Sequence, residues 1–276
     1  MKQIFILVLV LSSLAQAQYG AISTATAGSG HATVEPSEAP VLNPASIPYS
    51  KGYFITSDYA SLYQANEFTV ALTDNLPDTV VPTSFIYNQI NGTGLANQTL
   101  VTQDLRLEVA NLVSQDVSFG LALRSRTDSF LSYQYRQNNL LLGTIFAISP
   151  NMGIAIVADN LVGTDAKVPT AYRLLPSLAV GLNYNYLKVM RFRLDLQTAS
   201  NDSFNEPTIS GGMELHWNKW LLFRGGISKA LETNTDEYGA GVGFEGPKFT
   251  VHLGYLMSPQ QESLNREAVD LAVPIW

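Results

Sequence analysis

The chain of 276 residues contains no cysteine. This absence excludes disulfide bonds, thiolate chemistry and cysteine-ligated metal sites. An oxidising compartment permits disulfides without requiring them. The composition therefore agrees with a fold in which hydrogen bonds between strands close on themselves.

Basic residues are scarce as well. The chain has 16 Lys and Arg against 23 Asp and Glu, a formal net charge of −7, and charged residues make up only 14% of it. Nucleic-acid binding would call for clustered Lys and Arg, so we expect no nucleic-acid partner. A mean hydropathy of +0.08 together with only 14% charged residues is unusually apolar for a secreted soluble protein.

Beyond the first 17 residues, no stretch offers the ~20 uninterrupted apolar residues that a membrane helix requires. A membrane protein built from this chain must therefore be a β-barrel. The 13 Tyr and 12 Phe suit the aromatic girdles at the two membrane interfaces of such a barrel.

The N-terminus has the three parts of a secretory signal peptide. Met1-Lys2 forms a short positive region, Ile4 to Leu14 an apolar region, and Ala15-Gln16-Ala17 a cleavage site of the A-x-A type. We predict that residues 1–17 are removed and that the mature chain starts at Gln18. No cysteine follows the cleavage site, so this is an ordinary secretory signal and not a lipoprotein signal.

Apolar and polar residues alternate along most of the chain from Lys51 onward. Residues 188–198 have the pattern of a strand with one face for lipid and one for water. One face carries Met190, Phe192, Leu194 and Leu196, and the other carries Arg191, Arg193, Asp195 and Gln197. We predict an all-β fold, a transmembrane antiparallel β-barrel over residues 51–276.

Short turns and longer polar connections alternate between these segments. The short turns are predicted at Ser114-Gln115, Ser149-Pro150-Asn151, Leu187-Lys188, Asn218-Lys219 and Gly246-Pro247-Lys248, and the longer connections at 126–136, 162–175, 199–207, 229–237 and 258–265. About fourteen strands result, with twelve as the alternative because the first hairpin is short. An even number places both ends on the periplasmic side.

Residues 18–50 lack this alternation and are rich in small residues, which fits either a disordered leader or a folded plug in the lumen. Within them, the run Ala27-Gly28-Ser29-Gly30-His31-Ala32 and the later Asn43-Pro44-Ala45 resemble the N-terminal hatch of the FadL-type outer-membrane transporters and their PorV-like relatives. The plug motif marked by this resemblance consists of Gly28, Gly30, Asn43, Pro44 and Ala45.

The resemblance implies a fourteen-stranded monomeric barrel with an N-terminal plug, which moves hydrophobic compounds across the outer membrane. A second stretch, Gly153 to Gly163, is similar to a strand and loop of the PorV-like branch. That branch suggests a non-conducting structural or shuttle barrel as the alternative. An oligomeric general porin and a secreted soluble β-sandwich stay open as well.

Charged residues on the polar faces form the predicted lumen-facing set. They are Asp104, Arg106, Glu108, Arg124, Arg191, Arg193, Asp195, Glu214, His216, Glu245 and His252. Opposite charges on neighbouring strands either fix the register as cross-strand pairs or line a pore. We favour pairing, above all that of Arg191 and Arg193 with Glu214.

No residue is predicted to be catalytic, and no metal or cofactor is expected. The histidines have no metal-ligand spacing. The G-x-G-x-x-G match at Gly241–Gly246 is followed by Pro247 and a strand, whereas a dinucleotide site needs a helix there. The aromatic Trp276 is the C-terminal signal that we expect the barrel-assembly machinery to recognise, and outer-membrane lipids are the other expected partner. The sequence thus predicts a passive outer-membrane channel and not an enzyme.

Overall fold

The computed structural model describes residues 20–93, 99–130, 133–165, 167–201 and 204–275. The predicted signal peptide, residues 1–17, and the C-terminal Trp276 lie outside the described residues. Among the helices of the described ranges, none is long and apolar enough to cross a membrane.

Fourteen antiparallel strands form a closed barrel in the described part of the chain. The strands are β1 (Gly52–Leu62), β2 (Ala65–Asn75), β3 (Thr83–Thr93), β4 (Thr99–Ser114), β5 (Val117–Phe130), β6 (Tyr133–Ser149), β7 (Met152–Asp159), β8 (Ser177–Tyr186), β9 (Met190–Asn201), β10 (Phe204–His216), β11 (Leu221–Ala230), β12 (Thr235–Glu245), β13 (Thr250–Met257) and β14 (Arg266–Ile275). Each strand pairs with its neighbours in the chain. The predicted count of fourteen is confirmed, and the alternative of twelve is wrong.

The barrel closes where β1 pairs with β14. The register of this pair is continuous, from Tyr53 opposite Ile275 to Leu62 opposite Arg266. An open sheet would present a row of unpaired backbone N–H and C=O groups along each edge. Closure removes both edges, so the backbone groups of the wall are satisfied within the wall itself.

Side chains alternate between an apolar outer face and an inner face that carries the charges. Leu123 is 54% exposed while the neighbouring Arg124 is 7% exposed, and Leu194 is 53% exposed while Arg193 is 3% exposed. Soluble proteins have the reverse distribution, because charged side chains are seldom buried without a partner. The strand period of two thus places the charges inside the barrel and the large apolar side chains outside.

Three of the predicted long connections are wrong in extent, because the chain there continues as strand. β5 and β6 extend into the predicted connection 126–136, β9 and β10 extend into 199–207, and β11 and β12 shorten 229–237 to a four-residue turn. Arg126 and Asp128 are buried on the inner face of β5. Their polarity therefore belongs to the inner side of a strand and not to a loop.

The connections differ between the two rims of the barrel. The predicted short turns lie at the rim where β1 begins and β14 ends, together with a longer connection at 76–82. The opposite rim carries the connections at 160–176 and 258–265, and 160–176 is the longest of the described ones. Both lie where the sequence predicted long connections.

The segment before β1 packs against the inner face of the barrel. It contains helix α1 (Ala21–Ala25), helix α2 (Ala39–Leu42) and a 3-10 helix (Pro44–Tyr49). Helix α1 contacts β11 to β14, and the 3-10 helix contacts β2 to β6. Residues 20–33 and 38–48 are buried, so the segment runs along much of the inner wall.

Glycines on the inner face allow the backbone of helix α1 to pack closely against the wall. A Cβ atom added at Gly239 would lie 2.6 Å from the carbonyl oxygens of Thr24 and Ala25. At Gly226 and Gly254 an added Cβ would likewise collide with the backbone of the segment. The close approach of the two backbones therefore requires residues without a side chain.

Gly226→Ala is expected to destabilise the folded barrel by about 1–3 kcal/mol, since the new methyl group overpacks against the backbone of Thr26. The matched control is Gly225→Ala on the outer face, where an added Cβ meets only Gly239 O at 3.8 Å. The measurement is the temperature at which the folded gel band converts to the unfolded one. Equal midpoints for the two variants would contradict the close approach.

Candidate functional site in the barrel interior

The charged residues that the alternation assigned to the lumen lie on the inner face. Asp104, Arg106, Glu108, Arg124, Arg193, Asp195, Glu214 and His252 are each at most 7% exposed. Arg191 and His216 are more exposed, with side chains at 21% and 27%, and Glu245 is half-buried near a rim. Most of these residues belong to one of three groups, which are a cluster around Glu214, a contact at Asp195 and a cluster around Arg124.

Glu214 on β10 is the centre of the first cluster. Its carboxylate accepts hydrogen bonds from Arg224 Nε at 2.6 Å and Arg193 Nη2 at 3.2 Å, and lies 2.9 Å from His216 Nε2. Arg191 lies directly opposite Glu214 on β9, and Arg224 lies opposite it on β11. The strand register thus places a cation on each side of this buried carboxylate.

The same cluster joins the barrel wall to the N-terminal segment. Glu35 Oε1 accepts a hydrogen bond from Arg193 Nη2 at 2.5 Å and forms an ion pair with Arg191. Neither Glu35 nor Arg224 was among the residues predicted from the sequence. Arg224 was detectable, because it shares the inner face of β11 with Leu222 and Gly226. Glu35 was not, since the irregular segment has no period that assigns it a direction.

Asp195 on β9 binds the N-terminal segment at a second place. Its Oδ2 accepts hydrogen bonds from the backbone N–H of Gly30 at 2.7 Å and of His31 at 3.0 Å, and lies 2.7 Å from His31 Nδ1. Asp195 is 2% exposed and His31 is 6% exposed. A buried carboxylate that receives three donors is a strong attachment, because each hydrogen bond is charge-assisted.

The glycine of the plug motif that precedes this contact ends helix α1. Gly28 has φ +85°, a left-handed conformation that favours glycine, and its N–H donates to Ser23 O at 2.8 Å. The bond is that of a Schellman motif in which Ala27, at φ +50°, is the left-handed residue directly after the C-cap Thr26. The chain therefore turns at Gly28 and delivers Gly30 and His31 to Asp195.

The Asn-Pro-Ala part of the motif connects the two halves of the segment. Asn43 Nδ2 donates to His31 O at 2.9 Å, and Asn43 Oδ1 accepts from Ala45 N at 2.9 Å. Pro44 occupies the first position of the 3-10 helix, where its missing N–H costs nothing. Ser118 on β5 donates to Ala45 O at 2.7 Å, which fixes the motif to the wall.

The third group lies around Arg124 on β5. Arg124 pairs with Asp104 on β4 and with Asp159 at 3.4 Å, and it donates to Asn160 Oδ1 at 3.2 Å. Two further side chains hold the connection 160–176. Asn139 Nδ2 donates to Val162 O, and Gln137 Nε2 donates to Tyr172 O at 2.8 Å. These bonds draw the connection inward over the rim.

Glu108 and Arg106 differ from the paired groups. Arg106 Nη1 donates to Val41 O of the segment at 3.0 Å. Glu108 is 0% exposed, and neither of its carboxylate oxygens has a hydrogen-bond partner among the residues that the structure describes. Within the same residues, no group of His, Cys, Asp or Glu has the geometry of a metal site.

An apolar patch on the inner face of β5 to β8 complements the charged clusters. It consists of Ala122, Leu141, Val157 and Ala179, each at most 4% exposed. Val157 and Ala179 lie directly opposite each other in the β7–β8 pair. One part of the interior is therefore apolar, whereas the part lined by β9 to β11 is charged.

Replacing Asp195 by Ala is expected to loosen the N-terminal segment, because the N–H groups of Gly30 and His31 lose a buried acceptor at a cost of about 1–3 kcal/mol each. The rate at which a non-specific protease cleaves residues 27–37 in the folded, detergent-bound barrel reports this change. Asp236→Ala is the control, because its exposed pair with Lys229 contributes about 0–1 kcal/mol. Cleavage at the same rate in both variants would show that Asp195 does not hold the segment.

No protein-family model and no curated protein matches the sequence. Solved structures do match. The CymD monoaromatic hydrocarbon channel has a TM-score of 0.73 at 12% identity, over 93% of this chain and 97% of that chain. The toluene transporter TbuX of Ralstonia pickettii has a TM-score of 0.67 at 14% identity, over 92% and 97%. A FadL homologue of Pseudomonas aeruginosa has a TM-score of 0.67 at 10% identity, over 94% and 99%.

These likenesses extend over nearly the whole of each chain. Identities of 10–14% make them evidence of a shared fold. The predicted fourteen-stranded antiparallel barrel is confirmed, and its fold is that of the FadL-type channels.

Proposed function

We propose that the protein is an integral outer-membrane channel through which small hydrophobic solutes pass by diffusion, with residues 18–50 as its plug. The observation that carries this proposal is the N-terminal segment, which is bound to the wall at Glu35, His31 and Ala45 inside a closed barrel whose outer face is apolar. The fold shared with the hydrocarbon channels supports it over the whole length of the barrel.

The outer face supports placement in a membrane. Large apolar side chains such as Leu107, Leu123 and Leu253 are about half exposed on it, while charged groups face inward. Strands of 8 to 17 residues bracket the ~9–11 residues that a tilted strand needs to cross the hydrocarbon core. An apolar exterior of this kind is favourable against lipid and unfavourable against water.

The nature of the solute follows from two observations. Similar solved structures are described as monoaromatic hydrocarbon channels or toluene transporters. In this chain, the apolar patch around Leu141 and Val157 lies on the strands that border the connection 160–176. The patch lies deeper in the barrel than the cross-strand pairs Arg124–Asn139 and Arg126–Gln137. A small hydrophobic solute that enters at this rim would pass these polar groups and then meet an apolar wall.

A barrel without residues 19–47 is expected to leak small solutes several-fold faster than the complete protein, because the anchored segment no longer fills the interior. Swelling of proteoliposomes in a series of sugars and amino acids measures the leak. Empty liposomes and the complete protein are the controls, and heat-modifiable migration on gels verifies that the shortened barrel is folded. Unchanged leak through the folded variant would contradict the plug.

A non-conducting shuttle or structural barrel is the second candidate. The number of bonds that fasten the segment favours it, since Asp195, Glu214, Ser118 and Asn75 all bind residues 30–50 directly or through Arg193. Single-channel recording in planar bilayers separates the two candidates. Open currents support the channel, and a silent barrel that co-purifies with a partner supports the shuttle.

The double change Leu141→Asn and Val157→Thr keeps the number and branching of the side-chain heavy atoms and makes the apolar patch polar. Uptake of a labelled aromatic hydrocarbon into proteoliposomes is expected to fall several-fold, because desolvated polar groups now interrupt the apolar wall. The control is Val180→Thr on the outer face of β8. Equal uptake by a folded double variant would exclude the patch from the solute path.

A further inference from the structure

Three carboxyl groups surround the first described residue of the N-terminal segment. Glu38 Oε1 accepts a hydrogen bond from Gly20 N at 2.6 Å, and Asp58 Oδ2 accepts one from Ala21 N at 3.1 Å. Asp270 lines the same small cavity, together with Thr56 and Thr69. The carboxyl groups come from the segment itself, from β1 and from β14, so the cavity lies under the strands that close the barrel.

The three carboxyl groups of this cavity differ in their partners from other interior acids that the structure describes. Other interior acids are paired: Glu67 with Arg266 at 2.7 Å and Glu214 with Arg224 at 2.6 Å. The ion pairs described for Arg266 and Arg224 are with Glu67 and Glu214 and not with the carboxyl groups of the cavity. The imidazole of His252 comes closest to Asp270, at 4.0 Å.

Asp270 gives the second, independent indication of a ligand. It is 2% exposed, and neither of its carboxylate oxygens has a hydrogen-bond partner in the described part of the chain. A buried carboxylate without partners is costly, because the folded state pays for desolvation without recovering it. A cation with several N–H donors would satisfy it.

The predicted processing of the chain creates such a cation nearby. Cleavage after Ala17 leaves Gln18 and Tyr19 in front of Gly20. Two residues span at most about 7 Å, and Gly20 is buried inside the barrel. Two residues let the new α-ammonium group reach no farther than about 7 Å from the Gly20 nitrogen.

We propose that the cavity formed by Glu38, Asp58 and Asp270 binds the α-ammonium group of the processed chain. The ammonium group has three N–H donors, matching a site built from three carboxyl groups. An unprocessed chain has a neutral amide at the same position. Removal of the leader is then coupled to the seating of the segment, so that the barrel closes its interior only after export. This inference rests on the proposed roles of residues 1–17 as a leader and 18–50 as a plug.

The test measures how fast the α-amine reacts with an amine-specific reagent at neutral pH. In the folded, detergent-bound protein, we expect labelling at the N-terminus to be at least about tenfold slower than in the same protein after heat denaturation, whereas an unprotected α-amine reacts ahead of lysines because its pKa is about 7.7–8.0. The exposed Lys51 serves as the internal reference. Labelling is located by mass spectrometry of peptides.

Asp58→Asn combined with Asp270→Asn is expected to raise N-terminal labelling of the folded protein to near the denatured rate. The single change Asp270→Asn, at a residue whose oxygens bond nothing described, is expected to act in the same direction and guards against a double variant that does not fold. The matched control is Asp165→Asn with Asp236→Asn, which removes the same charge outside the cavity. Heat-modifiable migration verifies folding in each case.

Rapid N-terminal labelling of the folded wild-type protein would overturn the proposal and leave the cavity to a free cation or water. Protection that persists in the folded Asp58 and Asp270 variants would overturn the assignment to these carboxyl groups. An intact mass that shows a retained leader, or a Gln18 cyclised with loss of ammonia, would overturn it too, because no ammonium group would exist. The leak assay on the barrel lacking residues 19–47 tests the plug separately from all of these outcomes.

Discussion

Pairing of β1 with β14 is the constraint on which the rest of the molecule depends. Once the wall is closed, every strand has two hydrogen-bonded neighbours, and the period of two assigns each side chain either to the outside or to the interior. The outside takes the large apolar side chains. The interior has to accommodate the remaining ones, including many charged groups, and these are stable there only with partners. The N-terminal segment supplies part of those partners.

The interior is thus organised by charge. Arginines on β9 and β11 lie beside Glu214, and those on β9 also bind Glu35 of the segment. Asp195 accepts hydrogen bonds from the backbone of Gly30 and His31. On the adjoining strands β11 to β13, close contact is possible because Gly226, Gly239 and Gly254 lack side chains. Ion pairs and backbone-to-backbone packing therefore hold the same segment. The proposed plug depends on both.

Much of this could be predicted from the sequence, because alternation is a local property. Strand number and the inward direction of Arg193, Asp195 and Glu214 follow from counting residues in steps of two. Strand ends near 126–136 could not be predicted, since inward polar residues such as Arg126 resemble a loop. The partners within the segment could not be predicted either. Glu35, Glu38 and Gly20 meet their partners through tertiary contacts across more than a hundred residues or across an irregular turn, and no periodicity encodes those contacts.

The unequal lengths of neighbouring strands have a consequence for the shape of the wall. At about 3.4 Å per residue, the 17 residues of β6 extend about 58 Å, and the 8 residues of β7 beside them about 27 Å. β7 ends opposite Leu142, whereas β6 continues to Tyr133. The rim of the barrel is therefore lower above β7 than above β6. The connection 160–176 lies at this low part of the rim and is held there by hydrogen bonds from Asn139 and Gln137. Displacement of this connection would leave an opening in the side of the barrel above β7, below the level that β6 reaches.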